Sequence, residues 1–123
     1  MYDHTIQNGL DRNNGGVFCE GPHTKGPPRE RNKDFWMQAE SLIGFLDAYQ
    51  LFGDKKYLDA YENVHRFVFD HVINHEVGEW YPILNENNKV IANFMGDAWK
   101  VGYHTIRSMI KTEKKLENII ASN

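Results

Sequence analysis

Apolar residues crowd every side of one segment. From Asp34 to Phe52 the positions Phe35, Trp36, Met37, Ala39, Leu42, Ile43, Phe45, Leu46, Ala48, Tyr49, Leu51 and Phe52 leave almost no polar face at helical period. The pattern predicts a helix buried on most sides. Gly53 then supplies a left-handed stop, and Asp54 can cap a new helix at once. That second helix, about Lys55 to Val72, is amphipathic. Tyr57, Tyr61, Val64 and Val68 form one stripe, and Lys55, Lys56, Asp59, Glu62, Asn63, Arg66 and Asp70 face water. Together the two predict a helical hairpin with one buried and one more exposed member.

Shorter extended pieces separate the helices. Gly15 to Glu20 is one, followed by a Gly/Pro-rich loop from Gly21 to Pro28. Glu79 to Leu84 is another; it turns through Asn85-Glu86-Asn87-Asn88 into Lys89-Val90-Ile91, a small β-hairpin. A third helix is predicted from Gly96-Asp97 through Trp99, Tyr103, Ile106 and Ile110, and its polar tail, Lys111 to Asn123, is predicted to fray. Sliding the chain by 63 residues sets Gly15 on Gly78, Phe18 on Tyr81, Asp34 on Asp97, Trp36 on Trp99 and Ile43 on Ile106. The order repeats: glycine turn, aromatic strand, loop, Asp cap, Trp, buried helix. This is the mark of a helical-hairpin array, here about one and a half units long.

Composition narrows the class. The 123 residues carry a net charge of −3, are 41% hydrophobic and contain one cysteine. That is a folded chain of single-domain length with no apolar run of ~18 residues to span a membrane. Met1-Tyr2-Asp3-His4 lacks the basic and apolar regions of a secretory signal, and lone Cys19 suits a reducing compartment. The expectation is a cytoplasmic protein, and the slight acidity gives no reason to expect nucleic acid. Yet a helix apolar all round needs more neighbours than one and a half hairpins provide. The chain therefore reads as part of a larger domain.

Candidate chemistry is sparse. Lys100, His104, Arg107 and Lys111 share one helix face. They read either as a solvated basic stripe or as a histidine base beside a guanidinium that steadies a developing oxyanion. Glu40 sits in the nearly all-apolar helix and needs a partner, whether an ion-pair partner or a ligand. His71 and His75 have metal-ligand spacing but no further ligand nearby, and His4, His23 and His65 belong to no constellation. No phosphate loop, nucleophile elbow or CxxC occurs.

Four strings combine into something more specific. Asp34-Phe35-Trp36-Met37-Gln38-Ala39-Glu40 precedes Gly44-Phe45-Leu46-Asp47-Ala48-Tyr49-Gln50-Leu51-Phe52-Gly53-Asp54; Gly78-Glu79-Trp80-Tyr81 follows; and Trp99-Lys100-Val101-Gly102-Tyr103-His104-Thr105-Ile106-Arg107 comes last. In this order and spacing, from about Gly9 to Ile110, the set resembles the C-terminal part of the N-acylglucosamine 2-epimerase superfamily, especially its cellobiose 2-epimerase branch. The resemblance implies an all-α fold, a partial (α/α)6 toroid of helical hairpins with short β-hairpins in the connecting loops. Residues 1–123 would be about the last third of that single barrel domain.

The resemblance further implies inversion of C2 of an aldose through ring opening, removal of the C2 proton and reprotonation of an enediolate, with no metal or cofactor in the chemical step. By it, His104 matches one acid/base and Arg107 the enediolate stabiliser. Glu40 matches a carboxylate that positions substrate, and Trp36 and Trp99 match aromatic pocket positions. Relatives often have Pro where this chain has Gly102, and their second histidine lies in a Gly-His-x-x-Glu string that this sequence lacks. The chain alone is therefore expected to be inactive. The expected substrate is the reducing-end glucose of a cellobiose-type disaccharide. N-acylglucosamine epimerisation and aldose–ketose isomerisation are alternatives. Two readings of other classes are a glycoside hydrolase, which needs a second carboxylate, and a catalytically inactive or carbohydrate-binding remnant.

Overall fold

The computed structural model describes residues 2–19, 30–92 and 102–122. Its elements run α1 (Tyr2–Asn8), β1 (Lys33–Asp34), α2 (Phe35–Phe52), α3 (Lys55–Phe67), a π-helical turn (Val68–Val72), β2 (Ile73–Asn74), β3 (Glu79–Trp80), β4 (Ile83–Leu84), β5 (Val90–Ala92) and α4 (Tyr103–Ser122). None of the described helices is long and apolar enough to cross a membrane.

The predicted hairpin forms. Gly53 adopts φ 70° and its N–H bonds to the Tyr49 carbonyl, while the Asp54 carboxylate accepts from the Lys56 N–H. Each device satisfies backbone groups that a helix end leaves unpaired. The Tyr57, Tyr61, Val64 and Val68 stripe is buried. One polar position departs from expectation: Asn63 turns inward, accepting from the Gly16 N–H and donating to the Asp11 carbonyl. Helix α2 is buried along its middle by Leu42, Ile43, Phe45 and Leu46, but Leu51 and Phe52 at its end are exposed.

Helix α4 departs further. Its apolar residues Tyr103, Ile106 and Ile110 are exposed, and the face that packs on α2 is the small polar one, Thr105, Ser108 and Thr112. Hydroxyls can line such a contact because each finds a carbonyl: Ser108 donates to Ala39 of α2, and Thr112 to Ser108 within its own helix. The tail expected to fray stays helical to Ser122. Leu116 and Ile119 pack on the core, and Lys115 pairs with Asp47. The start of the third helix near Asp97 lies outside the described residues.

Small sheets pin the loops. β4 pairs antiparallel with β5, as the hairpin pattern predicts, and also with β1, which feeds directly into α2. β2 pairs with β3 through Ile73 and Trp80. The 63-residue repeat is physical here. The isolated bridge Leu10–Val17 displaced by that period falls on Ile73–Trp80, and Gly15 and Gly78 take matching φ values of 85° and 78°.

A buried cation ties the first repeat to the second. The Lys33 ammonium, fully buried, donates to the Asp11 carboxylate (2.8 Å), the Gly15 carbonyl (2.6 Å) and the Asn88 side-chain oxygen (2.9 Å). It also lies 4.8 Å from the Phe67 ring centroid.

Candidate active site

The site forms where the first two turns of α2 and α4 meet. Ser108 and Thr105 hold α4 against α2, so residues one turn earlier on α4 face the second turn of α2. There His104 Nδ1 lies 3.0 Å from Glu40 Oε1, and Arg107 Nη1 donates to both Glu40 oxygens at 2.8 and 2.7 Å. All three side chains are about one-third exposed: 30% for His104, 36% for Glu40 and 34% for Arg107. Glu40 has found the partners that its position demanded.

The electrostatics fix the roles of the atoms. Burial pushes the Glu40 carboxyl up, but the hydrogen bonds from His104 and Arg107 outweigh it and hold the group below the usual carboxylate range. The same contact raises the Arg107 guanidinium. An ionised carboxylate can only accept, so His104 Nδ1 is the donor. Nε2 is left as the nitrogen that can alternate between lone pair and proton.

Aromatic rings surround the imidazole. Tyr103 lies 5.0 Å away edge-on, Trp36 5.9 Å away and tilted, and Phe35 6.2 Å away edge-on, centroid to centroid. Trp36 keeps 44% of its surface exposed. Trp36 and Glu40 also line a cleft of about 520 Å³ whose other wall is α1, with His4 and Asn8 among its residues.

Of the residues singled out from the sequence, Glu40, His104, Arg107 and Trp36 come together. Trp99, Lys100 and His23 lie outside the described residues, and Lys111 is exposed. His75 Nε2 sits 2.7 Å from the Phe69 carbonyl, and His71 lies against Phe67. Among the described residues, no three His, Cys, Asp or Glu side chains gather where a metal could be held. Sequence reasoning passed over His4 and Asn8, because α1 reaches the cleft only through the tertiary fold and no local spacing signals it.

The family model described as N-acylglucosamine 2-epimerase (GlcNAc 2-epimerase) matches residues 1–108. The chain is similar to the D-mannose isomerase of Marinomonas mediterranea, 32% identical over 116 residues that cover 94% of this chain and 29% of that protein. It is also similar to the cellobiose 2-epimerase of Dictyoglomus turgidum, 34% identical over 88 residues, covering 71% of this chain and 23% of that one. A crystal structure of D-mannose isomerase superposes with a TM-score of 0.77 at 33% identity, over 86% of this chain and 27% of that chain. The chain thus spans less than a third of the length of these relatives. The described hairpins are a partial (α/α)6 toroid, and with its ordered strings, its repeat and these likenesses the chain belongs to the N-acylglucosamine 2-epimerase family.

Proposed function

We propose that these residues are about the last third of an (α/α)6 barrel that epimerises or isomerises a sugar, and that they carry one of its two proton-transfer groups. The observation that carries the reading is Glu40, which engages His104 and Arg107 at once. His104 Nε2 takes the C2 proton of an open-chain aldose. The electron pair moves through C1 to the carbonyl oxygen, and Arg107 steadies the enediolate. Glu40 orients both and can position a substrate hydroxyl, while Trp36 and Trp99 are apolar walls for the sugar ring. The compartment is a reducing cytoplasm, which lone Cys19 suits.

The product depends on where the proton returns. Delivery to C1 gives a ketose and can be done by the base that removed it. Delivery to the opposite face of C2 gives the epimer and calls for a second group across the substrate. Cellobiose-type disaccharides are the substrates we assign to epimerisation. The isomerase outcome is supported by the likeness to D-mannose isomerase over 94% of this chain. The 123 residues alone do not epimerise, since they supply one base where that outcome calls for two.

The test is a chimera in which this chain replaces the matched 116 residues of the Marinomonas enzyme. With mannose or cellobiose in D2O, proton NMR should show deuterium entering C2 or C1. His104→Gln should slow exchange at least ~10²-fold. A folded chimera whose exchange ignores that substitution would refute the assignment, as would epimerisation by the 123 residues alone.

A further inference from the structure

Glu40 holds Arg107 by one nitrogen. Both carboxylate oxygens accept from Nη1, at 2.8 and 2.7 Å, and among the described residues Nε and Nη2 donate to nothing. An arginine fork that meets a carboxylate with two nitrogens has its plane fixed by the two parallel bonds. A hold through one nitrogen fixes Nη1 and lets the plane pivot about it. For Arg107 to steady an enediolate, its free edge, Nε and Nη2, has to face the substrate oxygen at a set angle. Glu40 does not set that angle.

Tyr103 stands where it can. It opens α4 one turn before Arg107, and residues four apart share a helix face. The first turn fixes its backbone. The Ile106 N–H donates to the Gly102 carbonyl at 2.9 Å, and the Thr105 hydroxyl donates to the same oxygen at 3.3 Å. The Tyr103 ring centroid lies 6.0 Å from Arg107 Cζ and 5.0 Å from the centroid of the His104 ring. Glu40 on α2 and Tyr103 on α4 thus engage the same two groups from different helices. The ring is 61% exposed, so it adds little to the core. What it offers Arg107 is a quadrupole, which favours particular orientations of a guanidinium and which an aliphatic side chain lacks.

We propose that Tyr103 is a positioning residue for the reaction: its ring sets the plane of the Arg107 guanidinium, so that Nε and Nη2 are presented to the enediolate. The inference rests on the proposed role of Arg107, but the contact it invokes is measurable without sugar. The ring carries the effect and the phenolic hydroxyl does not, so phenylalanine serves at this position and leucine does not.

Two measurements test this. In the 123-residue chain, nitrogen-15 relaxation of the Arg107 Nε–H should report an ordered side chain. Tyr103→Leu should lower that order, and Tyr103→Phe should preserve it. In the chimera, Tyr103→Leu should slow the limiting rate of exchange about tenfold with little change in KM, because the lost orientation matters once charge develops on the oxygen. Tyr103→Phe should stay within about twofold of the parent. The Arg107→Met background separates positioning from a general loss of structure. There Tyr103→Leu should slow exchange no further, whereas a merely structural residue would slow both backgrounds alike. An Arg107 order that ignores Tyr103→Leu would overturn the proposal. So would equal slowing in the two backgrounds, or a Tyr103→Phe chimera as slow as the Tyr103→Leu one. A chimera whose exchange ignores His104→Gln refutes the proposed function instead, and the Arg107 order then still decides whether Tyr103 aims the guanidinium.

Discussion

Two carboxylate–cation clusters sit in this molecule, and they are built to opposite ends. Around Lys33 every valence is used. Three acceptors meet the three ammonium protons, and Asp11 also accepts the N–H groups of Asn13 and Asn14. Around Glu40 the donors keep something in reserve. Among the described residues, Arg107 spends one nitrogen on the carboxylate and His104 only Nδ1. At the first cluster Lys33 is fully buried and Asp11 nearly so, and the second is one-third exposed. A saturated, buried cluster can only hold a fold together, whereas one with spare donors beside solvent can act on something else.

Removing Lys33 should have the largest effect on stability. Lys33→Met leaves the Asp11 carboxylate buried without its partner, and urea denaturation should show a loss of about 3–5 kcal/mol. Burial pushes Asp11 up, but the Lys33 hydrogen bond and the Asn13 and Asn14 N–H groups outweigh it and hold its pKa below the ordinary value. The sign follows. The folded pKa lies below the unfolded one, so the stabilisation is complete above the unfolded value of ~3.9 and is lost as pH falls through the folded value. Lys33→Met should abolish that acid limb. A cost under ~1 kcal/mol would place the pair among ordinary surface salt bridges.

Next comes the glycine that closes the same cluster. Gly16 has φ 84°, and a Cβ there would lie 2.5 Å from a Phe67 ring carbon. Gly16→Ala therefore combines backbone strain with a clash against a buried ring, for about 2–4 kcal/mol. Gly53→Ala has a positive φ but nothing near its Cβ, so thermal melting should show only about 1 kcal/mol. Equal losses at the two sites would mean that φ alone sets the cost and that the Phe67 contact is loose.

The contrast also explains what could be read from the chain. The hairpin, its Gly53 stop and its Asp54 cap were legible because each depends on neighbours in sequence. So was Glu40, whose charge in an apolar helix announced a partner. The Lys33 cluster was not legible, since its members Asp11, Gly15, Lys33 and Asn88 meet through the turns of two repeats and share no local spacing. Helix α4 misled for a related reason. Ile106 and Ile43 are equivalent in the repeat, yet Ile43 is 6% exposed and Ile106 59%. Periodicity finds an apolar stripe but does not say which stripe a neighbour covers, and on α4 hydroxyls with carbonyl partners took the contact instead.

The smallest effect on stability should come from the open cluster, and it sharpens the distinction most. Arg107→Met removes the guanidinium from Glu40 while His104 remains, and solvent already screens the pair. Denaturation should barely move. The Glu40 carboxyl should nevertheless titrate higher than in the parent, as carbon-13 NMR of its side chain can follow, because its depressed pKa depends on that guanidinium. Glu40→Gln bears on the imidazole. With no carboxylate to demand a donor, Nδ1 is no longer fixed as the protonated nitrogen, and nitrogen-15 NMR of His104 should show the Nε2–H tautomer gaining population. A tautomer balance that ignores Glu40→Gln would mean that the carboxylate does not orient His104. A stability loss as large as that of Lys33→Met would mean that this cluster, too, is a structural clamp.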